Sequence, residues 1–361
     1  MPSPSPGDAL ARPAADGAAL GAWDDMPVLR DAELLGAIAP AQAGWAERFY
    51  FNVLRPTGEI AAIVGAGVYP VRGVCEAYCC RMDGDVQRNV RSLHRLPRDG
   101  RPATGGAVTL TVDAPMRDWS VAVDAPDLRL AGRFAGIGEP YLYALVDVPP
   151  DEPGGPFDRF RHFIATGRWT IDEGPPDLLG QPGLLGVRDR TWGVRTRRVR
   201  WHNWYVFQLG GTCLTLMHQE LADGTVRFSE AGIVHGDGRA ERLDLEDIDV
   251  RFDRVTRDLR AGTVWLRCAA GPLQVAFERV GPGIRLAGAG YDDRQDERDE
   301  GHGVQHDAYD LADPDVAVRT GKGTIDGGAV VICRGALEAT GIGVVESAIA
   351  RDHVRFGEQV R

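Results

Sequence analysis

The chain has 361 residues, 43% hydrophobic and 26% charged, which is typical of soluble globular proteins and excludes general disorder and fibrous repeats. Its 41 basic and 52 acidic residues give a net charge of −11, which disfavours binding to nucleic acids and to anionic membranes. Every apolar run ends well short of the roughly 18 residues of a membrane-spanning helix, so stable membrane insertion is not expected.

Residues 1–22 are rich in Pro, Ala and Gly, and they lack the basic start and the apolar run of a secretory signal. They are predicted to form a disordered lead-in. The six cysteines of a chain without such a signal are expected to be reduced and mostly buried. The predicted location is therefore the cytoplasm.

Helical periodicity is scarce. Residues 31–38 and 159–165 could each form two turns, and residues 346–354 could form a closing helix. Short alternating runs separated by turn residues recur from residue 108 onward and predict β-strands instead. The predicted strands cover residues 108–112, 119–123, 128–134, 142–148, 204–209, 213–219, 226–234, 248–254, 263–268, 273–280, 284–287, 329–333 and 336–340.

So many short strands predict an all-β fold of closed or nearly closed antiparallel sheets, because exposed sheet edges must be hidden. A Pro- and Gly-rich stretch at residues 172–186 marks a domain boundary. Division there gives an N-terminal domain over residues 23–185 and a C-terminal domain over residues 186–361. Two domains also fit the length of the chain.

The densest group of chemistry-bearing residues begins with Gly-Val-Arg-Asp-Arg-Thr-Trp-Gly at residues 186–193. In a strand, Arg188, Arg190 and Trp192 would share one face and Asp189 would lie on the other. A carboxyl group that faces an apolar lumen is favoured in its neutral form, so Asp189 could donate a proton to a substrate. The alternative is that Asp189 forms a buried ion pair with a neighbouring arginine.

Residues 186–193 resemble the Gly-x-Arg-Asp-His-Ser-Trp-Gly signature of the carotenoid 1,2-hydratase (hydroxyneurosporene synthase) and AttH-like superfamily. Residues 45–51, 232–238 and 340–346 resemble an early aromatic strand, a mid-domain turn and the closing Gly-x-Gly-x-x-Glu of the same proteins. The resemblance implies two tandem lipocalin-like (calycin-type) antiparallel barrels, with a ligand cavity near their junction.

The resemblance also implies a reaction in which an isoprenoid double bond is protonated and water, or an internal nucleophile, captures the cation. Asp189 matches the acid of the signature. Arg190 stands where the superfamily has its histidine, so a proton relay would have to use His202 or His218. The predicted catalytic residues are Asp189, Glu346 and His218, and the predicted substrate-binding residues are Arg188, Trp192, Trp201, Trp204 and Tyr205.

The predicted function is an acid-initiated hydratase (a hydro-lyase) or terpene-type cyclase of secondary metabolism, acting on an apolar terpene- or carotenoid-like substrate without a cofactor. Two alternatives stay open: a lipid or pigment carrier, and a cyclase that uses shape alone for a pericyclic reaction of a polyketide-like substrate. The aromatic side chains predicted to bind substrate could instead serve only as packing in the core. A buried carboxyl at position 189 that lines the cavity would favour the first function, whereas a purely apolar lining would favour an alternative.

No metal site is expected. His302 and His306 are separated by a glycine-containing segment that argues against a helix, and Cys75, Cys79 and Cys80 lack zinc-ligand spacing. The expected partner is an apolar small molecule, and the expected oligomeric state is a monomer or a homodimer.

Overall fold

The computed structural model describes residues 20–25, 44–96, 106–148, 157–195, 199–289, 303–321 and 323–359. Within this part, strands make up 69% of the residues and helices 5%, which confirms the predicted all-β class. The helix predicted over residues 31–38, and the predicted lead-in up to residue 19, lie outside the described residues.

The first ten strands are β1 (Trp45–Leu54), β2 (Ile60–Tyr69), β3 (Val74–Asp83), β4 (Val86–Arg95), β5 (Val108–Ala114), β6 (Asp118–Ala125), β7 (Leu128–Leu142), β8 (Val146–Val148), β9 (Asp158–Glu173) and β10 (Leu185–Val194). The next nine are β11 (Trp201–Leu209), β12 (Thr212–Glu220), β13 (Val226–Val234), β14 (Ala240–Phe252), β15 (Leu259–Cys268), β16 (Gly271–Arg285), β17 (Gly303–Asp310), β18 (Ile325–Gly335) and β19 (Ala339–Ile349). Helices are short: α1 (Pro314–Thr320), α2 (Val354–Gln359) and 3-10 turns at Ala22–Asp25 and Leu286–Ala289.

Strands β1 to β10 form an antiparallel sheet together with β17. The strand order is β17-β4-β3-β2-β1-β10-β9-β7-β6-β5, and β8 pairs with β9. This first sheet curves around an apolar core. Strands on both sides of β10 contribute to this core, with side chains that include Phe51, Val64, Trp119 and Trp169. Strand β17 comes from the second half of the chain and pairs with β4, whose backbone groups would otherwise be an exposed edge.

The remaining eight strands form a closed antiparallel barrel, in which β19 pairs back onto β11. Its interior holds a second apolar core that includes Tyr205, Phe207 and Phe277. Closure satisfies the backbone groups of every strand in the barrel, so the barrel has no edge to protect.

A third apolar core lies between the outer face of the first sheet and the outer face of the barrel. It includes Tyr50 and Ile164 from the sheet and Trp204, Met217 and Val344 from the barrel. Strands at this junction are therefore buried on both faces, as β9 and β10 are over most of their length. This packing joins the two halves and positions the site described below.

Burial on both faces explains why the helix predicted over residues 159–165 is wrong. These residues belong to β9, where apolar side chains face both cores and the period-two alternation disappears. The closing helix predicted over residues 346–354 is also wrong except at its last residue, because β19 continues to Ile349, a turn follows, and α2 begins only at Val354.

The end of the predicted lead-in is structured. Leu20 packs against the first sheet, and the carboxyl group of Asp25 is fully buried there. The stretch used to place the domain boundary connects β9 to β10, two neighbours of the first sheet, and the chain leaves that sheet only after Val194. A boundary at residue 186 would therefore separate β10 from its hydrogen-bonded neighbours, and the division into domains stays a prediction.

Among the described residues, neither helix has the length and apolar character needed to cross a membrane. All six cysteines are free thiols, and five of them are buried.

Candidate active site

A cavity of about 750 Å³ lies at the junction of the first sheet and the barrel. Cavities of roughly 300–1,000 Å³ are typical of sites for small molecules. Strands β1, β9 and β10 supply one wall, and β11, β12 and β19 supply the other. The side chains lining these walls include Arg48, Tyr50, Phe160, His162, Asp189, Thr191, Arg195, His202, Trp204, Met217, Gln219 and Glu346.

Strand register brings the residues of the first wall together. Asp189 of β10 lies opposite Tyr50 of β1, and Thr191 lies opposite both Arg48 of β1 and His162 of β9. Directly opposed residues of neighbouring strands point to the same face, so these side chains all face the cavity. Arg188 and Arg190 alternate with them and point into the first sheet, as the sequence predicts.

Burial favours the neutral form of the Asp189 carboxyl group. Burial and the negative charge of Glu346 raise the pKa of Asp189 well above its ordinary value, although the charges of Arg195 and Arg48 act in the opposite direction. A protonated carboxyl group in a cavity of this kind can act as a general acid.

His162 lies next to this acid. Its Nε2 is 3.8 Å from Oδ2 of Asp189, and its Nδ1 is 2.6 Å from the hydroxyl oxygen of Thr191. Burial, with the positive charge of Arg195, lowers the pKa of His162 well below its ordinary value. The imidazole is therefore neutral and can accept or donate a proton through either nitrogen, depending on its tautomer.

Register also assembles the second wall. Glu346 of β19 lies opposite Trp204 of β11, and His202 of β11 lies opposite Gln219 of β12. His202 donates a hydrogen bond from Nε2 to Oε1 of Glu346 over 2.8 Å, and Gln219 donates one from Nε2 to Nδ1 of His202 over 3.1 Å. The amide donor thus selects the tautomer in which His202 can donate to the carboxylate.

Glu346 has the opposite protonation preference to Asp189. Burial alone would raise the pKa of Glu346, but the hydrogen bond from His202 and the charge of Arg195 hold it below its ordinary value. The cavity therefore contains one carboxyl group whose neutral form is favoured and one whose ionised form is favoured. Such a divergence is typical of a general acid and a general base in one active site.

A buried third carboxyl group supports Glu346. Asp326 of β18 lies opposite Glu346 in the barrel, and the phenol of Tyr50 donates a hydrogen bond to its Oδ2 over 2.6 Å. Burial, together with the charge of Glu346, raises the pKa of Asp326 well above its ordinary value. Burial thus favours the protonated form of Asp326, and a protonated carboxyl group at this position can donate a hydrogen bond to Glu346, which lies opposite it.

Three of the residues predicted for the site line the cavity: Asp189, Glu346 and Trp204. The indole ring of Trp204 meets the ring of Tyr50 edge-on, with 5.7 Å between ring centres, and lies 5.9 Å from the ring of His162. His202, considered as a substitute for the superfamily histidine, is also in the cavity.

Two predicted substrate-binding residues, Arg188 and Trp192, do not reach the cavity because they lie on the inner face of β10. Arg188 is fully buried and donates two hydrogen bonds to Asp25, over 2.6 and 3.1 Å. Trp192 packs against Phe163 inside the first sheet. Arg188 and Arg190 form the buried ion pairs that the sequence left open, but their partners are Asp25 and Glu47 rather than Asp189.

Three other predicted residues, Trp201, Tyr205 and His218, point into the barrel. The ring of Trp201 meets that of His218 edge-on, and Nε2 of His218 is 2.7 Å from Oε1 of Glu220. Tyr205 packs against Phe277 in the barrel core. Alternation explains the outcome, because positions 201 and 205 face inward on β11 whereas positions 202 and 204 face the cavity.

Sequence reasoning missed His162, Tyr50 and Asp326. His162 was hidden by the incorrect helix, because β9 is buried on both faces around it and shows no strand periodicity there. Tyr50 belongs to a recognised aromatic strand, yet its partner Asp326 is 276 residues away. No local pattern indicates that pairing.

Within the described part of the chain, no group of three or more His, Cys, Asp and Glu side chains is arranged to hold a metal ion. His306 is exposed on β17, and His302 lies outside the described residues.

Residues 31–290 match the model of a protein family described as "Domain of unknown function (DUF7064)". No curated protein is significantly similar to the sequence. Among solved structures, a candidate AttH protein from Nitrosomonas europaea is 12% identical, with a TM-score of 0.50, and the match covers 84% of this chain and 92% of that one. Kievitone hydratase from Nectria haematococca is 8% identical, with a TM-score of 0.43, and the match covers 93% and 96% of the two chains.

At 12% identity, the similarity to the AttH protein is one of fold. The AttH-like part of the resemblance agrees with that fold, whereas the carotenoid 1,2-hydratase part stays a prediction.

Proposed function

We propose that the chain, which belongs to the DUF7064 family, is a hydratase that protonates a carbon–carbon double bond with Asp189 and adds water to the resulting cation. One observation carries the proposal: two carboxyl groups in one cavity, Asp189 and Glu346, have pKa values displaced in opposite directions. Hydration of an alkene needs this pair, because one group must give a proton to carbon and the other must take one from water.

The reaction balances with these two groups alone. The carboxyl proton of Asp189 passes to one alkene carbon, the π bond breaks, and the other carbon becomes cationic. A water molecule forms the new C–O bond and loses a proton to the carboxylate of Glu346. The proton on Glu346 then returns to Asp189, which restores the enzyme. Run backwards, the same steps constitute a hydro-lyase reaction.

The lining suits an isoprenoid, terpene-like substrate. Trp204, Tyr50 and Phe160 present aromatic rings to the cavity, and Met217 and Leu286 add apolar surface. Aromatic faces stabilise a nearby cation, and a dry environment strengthens the acid. Capture of the cation by a second double bond of the substrate, instead of water, would make the enzyme a cyclase with the same acid.

The two alternatives receive less support from this lining. A carrier, or a cyclase that works by shape alone, needs no ordered acid and base, and a purely apolar wall would suit either. Here the carboxyl group of Asp189 lines the cavity beside His162, and Glu346 is hydrogen-bonded by His202. Desolvating these groups would serve no purpose in a carrier.

The test replaces Asp189 with Asn, which keeps the volume of the side chain and removes its proton. Activity is measured with farnesol as the probe, as incorporation of oxygen from ¹⁸O-labelled water. We expect turnover to fall by about 10² or more, the typical contribution of general acid catalysis, while the Kd for farnesol stays within about twofold.

Asp124→Asn is the matched control, because Asp124 is 84% exposed on β6, away from the cavity. Its turnover should equal that of the parent. An Asp189→Asn variant that hydrates farnesol at the parent rate would remove Asp189 from the mechanism. Mass spectrometry of apolar molecules that copurify with the protein would identify the natural substrate class.

A further inference from the structure

A fully buried asparagine, Asn52, lies on β1 two positions after Tyr50. Residues two apart in a strand share a face, so Asn52 points toward the third apolar core, as Tyr50 does. The residue opposite it on β2 is Ile63, a member of that core. An apolar side chain would pack here without any loss of hydration, so a buried amide is explained by its hydrogen bonds.

Two hydrogen bonds fix the orientation of the Asn52 amide. The backbone N–H of Val187 on β10 donates to its Oδ1 over 2.9 Å. A backbone N–H can only donate, so the amide oxygen must face Val187 and the amide nitrogen must face the other way. On that side, Nδ2 donates to the hydroxyl oxygen of Tyr50 over 3.2 Å. The backbone of β10 therefore determines the direction in which Asn52 donates.

Asn52 in turn orients the hydroxyl group of Tyr50. A phenol has a single hydrogen, and because its oxygen accepts from Asn52, that hydrogen is left for a different acceptor. Tyr50 donates it to Oδ2 of Asp326 over 2.6 Å. Tyr50 belongs to the first sheet and Asp326 to the barrel, so this hydrogen bond crosses the junction between the two halves. All three side chains are buried.

The last member of the series is Glu346. Oδ2 of Asp326 accepts from Tyr50, whereas its Oδ1 is buried and accepts no hydrogen bond from any residue that the structure describes. A buried polar atom without a partner is costly, and a proton on Oδ1 that is donated to Glu346, directly opposite on β19, removes this cost. Asn52, Tyr50, Asp326 and Glu346 thus form a hydrogen-bond series in which every donor points toward Glu346.

We infer that Asn52 is a positioning residue of the reaction: it directs the hydroxyl hydrogen of Tyr50 to Asp326, and so directs the proton of Asp326 to Glu346. The inference rests on the proposed function and adds to it the hydrogen bonds that keep the base ionised. Without the Asn52 amide, the Tyr50 hydroxyl is free to rotate and Asp326 loses its fixed donor. The ionised form of Glu346 is then less stable, although none of its own neighbours has been replaced.

Glu346 also responds to other groups from the elements packed against it. The titratable and charged groups that act on it besides Asp326 are His202 on β11, Asp189 on β10, Arg195 after β10 and Tyr50 on β1. Replacement of Asn52 leaves all of them in place. A change in the titration of Glu346 on that replacement therefore reports on the hydrogen-bond series.

The test is a double-mutant cycle of Asn52→Leu and Tyr50→Phe. Leucine has the branched shape of asparagine without its polar atoms, and phenylalanine lacks only the hydroxyl group. The pKa of Glu346 is measured by infrared titration of its carboxyl band, which Glu346→Gln identifies, and the acid limb of farnesol hydration is recorded in parallel. In each single variant we expect both to move to higher pH by about one pH unit, the equivalent of one weakened hydrogen bond to a charged group.

The double variant distinguishes positioning from a merely structural role. In the Tyr50→Phe background, Asn52→Leu should add no further change, because the hydroxyl through which Asn52 acts is gone. If Asn52 only ties β1 to Val187, its replacement will have the same effect in both backgrounds, which overturns the inference. An unchanged titration of Glu346 in Asn52→Leu overturns it as well. Asn52→Ala takes the place of Asn52→Leu if circular dichroism shows that leucine prevents folding.

Asn89→Leu is the matched control, because Asn89 is a buried asparagine on β4 that donates to Asp307. It should lower the melting temperature without altering the titration of Glu346, and an equal change in this variant would contradict a specific role of Asn52. The infrared measurement separates the inference from the proposed function. A Glu346 titration that moves while the acid limb stays in place supports the control of Glu346 by Asn52 and overturns the assignment of Glu346 as the base.

Discussion

The two faces of strand β10 carry similar residues in different roles. On the inner face, Arg188 and Arg190 are fully buried, and each is paired with a carboxylate, over 2.6 Å to Asp25 and 2.7 Å to Glu47. On the outer face, Asp189 has the imidazole of His162 at 3.8 Å, and burial raises the pKa of its carboxyl group. The comparison shows that an arginine directly next to an aspartate in a strand does not form an ion pair with it, because adjacent side chains point to opposite faces.

The largest expected effect comes from disrupting an ion pair on the inner face of β10. Replacing Glu47 with Gln leaves the Arg190 guanidinium buried without its carboxylate, which should lower the free energy of unfolding by about 3–5 kcal/mol. The measurement is urea unfolding at neutral pH. Asp189→Asn is the comparison variant, and it should not lose stability, because burial already disfavours a charge at position 189. Equal losses in the two variants would contradict the distinction between the faces.

A smaller effect concerns the support of Glu346. Replacing Asp326 with Ala removes a carboxyl group that, in the protonated form favoured by burial, can donate a hydrogen bond to Glu346, so kcat should fall roughly tenfold, the value of one hydrogen bond to a charged group. The pKa of Glu346 should rise, and the acid limb of the rate profile should move to higher pH. Asp326→Asn should restore most of the rate, because an amide also donates to Glu346 and accepts from Tyr50. Equal impairment of the Asp326→Asn and Asp326→Ala variants would show that hydrogen bonding alone does not account for the role of Asp326.

The pH dependence of the parent follows from the same two carboxyl groups. Hydration requires ionised Glu346 and protonated Asp189, so the rate should fall as pH drops through the lowered pKa of Glu346 and as pH rises through the raised pKa of Asp189. The alkaline limb should disappear from the residual activity of Asp189→Asn. If that limb stays in place, another group supplies the proton.

The last expected effect is on the pH dependence of stability. Because the pKa of Asp189 is raised in the folded state, the folded chain binds this proton more tightly than the unfolded chain does, and stability falls as pH rises from the ordinary pKa of 3.8 to the raised one. Asp189→Asn lacks this loss. Its melting temperature relative to the parent should therefore increase over that range, as calorimetry at several pH values can determine. A constant difference would place an ionised carboxylate at position 189.

The sequence by itself determined the β class, most strand positions in the second half, and the opposition of Asp189 to Arg188 and Arg190 across β10. These features depend on alternation over neighbouring residues, and alternation is local. The resemblance also indicated Glu346, although from its place in a motif rather than from its surroundings.

Only the tertiary structure decided which face of each strand meets the other half of the molecule. That choice placed Trp204 in the cavity and turned Trp201 and His218 into the barrel, and it brought Tyr50 to Asp326 across 276 residues. It also made β9 apolar on both faces, which hid His162 inside a segment with no strand periodicity. The physical reason is that burial on a second face depends on the packing of one sheet against another, and no short stretch of sequence contains both partners.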